Sequence, residues 1–147
     1  MKTLFAAAFL LTLSSCVLGS DLSGDWSLCV VDSTSRSVCG KVRAGPEQKA
    51  AFKYRRYYPL SYRLDLTPIL GTSATQAPKC GSLLIGEDAS ISIFTKTRCE
   101  ALFEFDNGNL VAERLTLAGD SIVGNWVQTC AAIECPAHGR LTMTRVR

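Results

Sequence analysis

Apolar side chains in this chain recur at every second position in short runs, and they nowhere hold helical spacing across a long window. Leu60, Tyr62, Leu64 and Leu66 fall on one face while Ser61, Arg63 and Asp65 take the other. Ala101, Phe103 and Phe105 share a face in the same way, as do Leu141 and Met143. A period of two is the signature of a half-buried strand, so the chain is expected to be all-β. Further strands are expected at residues 25–31, 37–43, 80–85, 91–93 and 121–129. Gly86-Glu87-Asp88 and Gly119-Asp120 supply turns. Asn107-Gly108 tolerates the positive φ of a tight hairpin turn, which predicts a hairpin over residues 100–117. Sequential antiparallel strands, about eight of them, close most simply into a single up-and-down β-barrel, because closure removes exposed edges.

Two stretches break the alternation. Glu47, Gln48, Lys49 and Ala50 are helix formers, so residues 47–54 are expected to hold a short helical turn. Residues 67–79, rich in Thr, Pro, Gly and Ser, are expected to form a long surface loop. Glu113 is out of phase, sharing a strand face with Val111, Leu115 and Leu117, and a bulge that re-aims it outward is the expected remedy. Neither a repeat nor an internal linker divides the chain, so one domain is expected.

The first residues have a different character. Lys2 precedes an apolar run from Leu4 to Leu13 interrupted by Thr12, the form of a signal peptide and too short to span a bilayer. Leu13-Ser14-Ser15-Cys16 resembles the bacterial lipobox, which implies an acylated Cys16 and a lipoprotein of the periplasm or outer membrane. The expected division is a signal over residues 1–15, a tether over 16–23 and a barrel over 24–147. Cleavage a few residues later, near Gly19, would instead give a secreted chain. Either way, setting Cys16 apart from the seven cysteines leaves six: Cys29, Cys39, Cys80, Cys99, Cys130 and Cys135. An even number in an oxidising compartment predicts disulfides. Sequence leaves the connectivity open; the low cost of closing short loops favours Cys29 with Cys39, Cys80 with Cys99 and Cys130 with Cys135. Loss of Lys2 leaves 15 of the 16 Lys and Arg side chains against 13 Asp and Glu, a near balance that argues against nucleic acid as a partner.

Gly24-Asp25-Trp26 at the start of the first strand, with Arg145 on the last, resembles the lipocalin and avidin superfamily of small barrels, the calycins. That resemblance implies that Arg145 lies across Trp26 and closes one end of the barrel. Gly124-Asn125-Trp126 repeats the Gly-x-Trp form near the other end of the chain. Small-barrel inhibitors of secreted metalloproteases, which also open with Gly-x-Trp followed by a cysteine, here Cys29, are a looser resemblance.

Candidate sites are few. His138 is the single histidine and any Ser/His/Asp or Cys/His mechanism would have to run through it, so no enzyme activity is expected. Cys130, Cys135 and His138 stand at a spacing near some zinc patterns, but thiols in that compartment pair first, so no metal or other cofactor is expected. Phe103, Phe105, Trp126, Leu141 and Met143 would line the barrel interior, as a pocket for a small apolar ligand or as plain core. Lys53, Tyr54, Arg55, Arg56, Tyr57 and Tyr58, with Lys49 nearby, form a basic and aromatic cluster, expected at the surface as a candidate partner site. These readings converge on an exported binding protein, with hydrolase inhibition or a ligand-free envelope role as alternatives.

Overall fold

The computed structural model describes residues 21–49, 54–70, 80–96, 99, 109–129 and 137–147. Its strands are β1 (Gly24–Asp32), β2 (Ser37–Ala44), β3 (Gln48–Lys49), β4 (Tyr54–Arg63), β5 (Cys80–Gly86), β6 (Ile91–Lys96), β7 (Leu110–Ala118), β8 (Ser121–Gln128) and β9 (His138–Arg145). One helical turn, α1 (Thr67–Leu70), follows β4. The sheet runs β2-β1-β9-β8-β7-β6-β5-β4, and β2 pairs with β4 to close it, giving an eight-stranded antiparallel up-and-down barrel. The two-residue β3 adds to β4 below the end of β2. Among the described residues no helix is long and apolar enough to cross a membrane.

The alternation places the core where the sequence pattern puts it. Leu60, Tyr62 and Leu66 are buried and Leu64 partly so, while Ser61, Arg63 and Asp65 are exposed. Leu28, Val30, Leu83, Ile85, Ile93, Leu141 and Met143 join them in one apolar cluster with both tryptophans. Two disulfides staple the wall: Cys29 to Cys39, which are register partners on β1 and β2, and Cys80 to Cys99. Cys16, Cys130 and Cys135 lie outside the described residues.

Residue 113 behaves as a bulge requires. The β7–β8 register shifts between Val111 and Thr116, Arg114 takes a φ of 55°, and Glu113 is exposed. The bulge also switches the inward parity of β7. Leu110 and Ala112 are buried before it and Leu115 after it, so Val111 does not share an inward face with Leu115.

Three expectations are corrected. The partner of β7 across the preceding connection is β6, because β6 and β8 occupy its two edges; the first arm of the expected 100–117 hairpin, with Phe103 and Phe105, lies outside the described residues. Gln48 and Lys49 are extended rather than helical: they pair with Tyr57 and Arg56, and strand pairing overrides local helix propensity, while residues 50–53 of the expected turn lie outside the described residues. The 67–79 stretch opens with helix rather than loop, and Ile69 and Leu70 are buried in the core. The amide N–H groups of both donate to the Leu66 carbonyl, at 3.0 and 2.9 Å.

Candidate functional site

The barrel has two unlike ends. At one, here the base, lie the entry into β1, the β5–β6 and β7–β8 turns, and the end of β9. At the other, the rim, lie the β1–β2 turn, α1, the start of β5, the ends of β6 and β8, and the starts of β7 and β9.

The base is latched from the first and last strands. Trp26 and Arg145 are register partners, and the guanidinium carbon of Arg145 sits 4.4 Å from the indole centroid. Arg145 Nη1 donates to Ser23 O at 3.0 Å and Nη2 to Asp21 O at 2.9 Å. Trp26 Nε1 donates to Leu22 O at 2.9 Å, and the Leu22 side chain is buried. One cation thus stacks on the indole and ties residues 21–23 across the barrel floor, where its donors are satisfied by carbonyls rather than by a carboxylate.

Trp126 does the equivalent work near the rim. Its indole is 1% exposed and Nε1 donates to Val31 O at 3.0 Å, spanning β9 at Gly139. A Cβ on Gly139 would come within 1.8 Å of that same oxygen, so only glycine leaves room there. Above it, α1 is held by Gln128 Nε2 donating to Leu70 O at 2.7 Å. A buried polar cluster secures the neighbouring connections: Leu110 N donates to Thr95 Oγ1 at 2.7 Å, and Thr129 N donates to Asn109 O at 2.8 Å. The Cys80–Cys99 bridge pins the start of the β6–β7 connection to β5.

The rim carries relief on this rigid support. A cleft of about 400 Å3 lies between the β1–β2 turn and α1, bordered by Thr34, Arg36, Pro68, Ile69 and Gln128. A groove of about 730 Å3 runs down the wall beside it, bordered by Val31, Asn125, Val127, His138, Arg140 and Thr142. The turn between them is braced by its own hydrogen bonds. The Asp32 carboxylate accepts the Thr34 N–H at 2.9 Å, the Arg36 N–H at 2.8 Å and the Thr34 hydroxyl at 2.8 Å. Partial burial works against the Asp32 carboxylate, yet these bonds and the Arg36 charge still leave its pKa below the usual value.

Of the residues expected to line a pocket, Trp126, Leu141 and Met143 are fully packed in the core and Phe103 and Phe105 lie outside the described residues. His138 is exposed at the start of β9. The basic and aromatic cluster is described only in part. Lys53 lies outside the described residues, as do the side chains of Tyr54 and Arg55. Arg56 pairs with Glu47 at 3.0 Å and the Tyr57 hydroxyl donates to Gln48. Tyr58 is 0% exposed, a core residue rather than a surface one. It has the parity of Leu60 and Tyr62, and extending that alternation back two positions is the signal that finds it. Its hydroxyl makes no hydrogen bond of good geometry, although the Leu22 backbone lies close enough to favour the charged form weakly; burial outweighs this and raises its pKa. No protein-family model, curated protein or solved structure matches the chain.

Proposed function

We propose that this chain is an exported binding protein, tethered through an acylated Cys16 at the base and engaging a protein partner through the rim. One observation carries the reading: the chain enters the barrel at the base beside the Trp26–Arg145 latch, while the β1–β2 turn, α1 and two larger clefts sit at the opposite end. A lipid at Cys16 would hold the base toward the bilayer and leave the rim facing outward. Binding through the rim fits better than a ligand inside the barrel, because Trp26, Trp126, Tyr58, Leu28 and Met143 fill the interior. With His138 as the single histidine of the sequence, a binding role is favoured over histidine-based catalysis.

The hydrogen-bonded β1–β2 turn supports a second reading, in which exposed residues 33–36 enter the cleft of a secreted or host hydrolase. Mass spectrometry of protein purified from its own membrane tests the anchor and the interior together. The expected mass is that of a chain starting at Cys16 plus acyl groups, with no retained small molecule. A mass without acyl groups removes the tether, and a retained apolar ligand returns function to the barrel interior.

A further inference from the structure

The outer wall formed by β2 and β4 has an arrangement that strand pairing alone does not favour. Lys41 on β2 is the register partner of Arg63 on β4, and both side chains are exposed. Like charges directly opposite each other on antiparallel strands destabilise the pair. Arg43, two residues toward the base and on the same face, adds a third exposed cation. The only described carboxylate near it is Asp25, at 3.8 Å, with both side chains largely in solvent. Among the described residues no ion pair engages Lys41 or Arg63.

These three cations and Asp25 border a shallow cleft of about 170 Å3, completed by Val42 and by Val146, an apolar side chain left 46% exposed. Asp65 follows Arg63 by two residues and is engaged by a partner within the chain, and three further acidic side chains gather elsewhere. Glu87, Asp88 and Glu113 border a cleft on the β5–β6 turn and β7, where Arg114 is the one cation. A chain of near-balanced charge thus presents a basic wall on one side and an acidic corner further round. The basic wall also reaches the base, since Arg43 pairs with Asp25 one residue after β1 begins.

We propose that the Lys41, Arg43 and Arg63 wall docks onto an anionic lipid surface, tilting the barrel so that both its base and this wall face the bilayer. Opposed cations that repel in isolation become favourable beside a negative surface, where each basic side chain contributes about fivefold in affinity. Val146 adds apolar contact at the headgroup boundary. The choice of a bilayer over a soluble polyanion rests on the tethered reading, because the wall adjoins the end at which residue 21 enters. The chemistry of the wall does not depend on the tether.

The test uses the chain from Cys16 onward with Cys16→Ser, so that no acyl group contributes. Flotation with phosphatidylglycerol-containing vesicles at low salt is expected to carry the protein, and pure phosphatidylcholine vesicles are not. Lys41→Glu and Arg63→Glu are each expected to weaken binding by fivefold or more, while Arg114→Glu, an equal charge change near the acidic corner, leaves it unchanged. Raising the salt to about 0.5 M should abolish binding. Lys41→Glu should also raise the melting temperature, because it replaces a repulsive cross-strand pair with an attractive one, which separates lost binding from lost fold. Equal weakening by Arg114→Glu, equal binding to both vesicle types, or no flotation at all overturns the proposal. Retention on dextran sulfate without flotation reassigns the wall to a soluble polyanion. The mass measurement on native protein fails independently of these outcomes.

Discussion

Two Gly-x-Trp segments hold the two ends of this barrel by different means. At the base, Trp26 is covered by a cation, Arg145, whose remaining donors bind the incoming chain. Near the rim, Trp126 is accommodated by an absence, the missing side chain of Gly139, and donates to Val31 O. Both indoles are fully buried and both satisfy Nε1–H with a backbone carbonyl. The difference lies in what each end leaves available. The base latch commits the Arg145 donors to the incoming chain, whereas Trp126 is supported within the core and leaves Arg36, His138 and Arg140 exposed at the rim.

The largest effects should come from the indoles. Trp26→Ala and Trp126→Ala are each expected to cost about 3 to 5 kcal/mol, the range for emptying an aromatic core site. Urea unfolding checks this, and a small loss at either position would mean that that end does not depend on its tryptophan. Next in size is the contrast between the two covers. Gly139→Ala must displace the Val31 backbone and should cost about 1 to 3 kcal/mol. Arg145→Lys retains the charge but loses the planar stack and one of two directed carbonyl bonds, for a smaller loss of about 1 kcal/mol. Thermal melting that ranked Arg145→Lys above Gly139→Ala would reverse the comparison.

The smallest change has the opposite sign. Tyr58→Phe removes a buried hydroxyl that lacks a well-formed hydrogen bond, so a gain of no more than about 1 kcal/mol is expected. Its pH dependence follows from the raised pKa. A tyrosine whose folded pKa lies above the unfolded value, near 10, contributes stability below that value and loses it as the pH rises through the folded pKa. Burial raises Tyr62 in the same way, so Tyr58→Phe should shrink the alkaline loss without abolishing it. An unchanged alkaline limb in denaturation above about pH 10 would contradict the burial of Tyr58.

Much of this fold is legible in the sequence because a period of two has one physical cause. Alternation marks β4 and β9, the out-of-phase Glu113 marks the β7 bulge, and Gly24-Asp25-Trp26 with Arg145 marks the latch. What was not legible depends on partners distant in sequence. The residues after Lys96 give no sign that β6, rather than the segment beside Asn107-Gly108, pairs with β7. Helix propensity at Gln48 and Lys49 is a local preference, and pairing with β4 overrides it. Tyr58 was hidden by the charges of Arg55 and Arg56, which outweighed its parity with Leu60. Nor does sequence place Lys41 opposite Arg63, because that meeting requires the barrel to close between β2 and β4.

The division of labour between the ends is tested most directly by photocrosslinking in the native envelope, with a photoreactive side chain at Ser33 on the rim or at Asp120 at the base. Both positions are exposed, and they differ in the end they report. A discrete protein adduct from position 33, and lipid adducts or none from position 120, is the result expected of a tethered barrel that binds through its rim. The same protein adduct from position 120 and none from position 33 would contradict it.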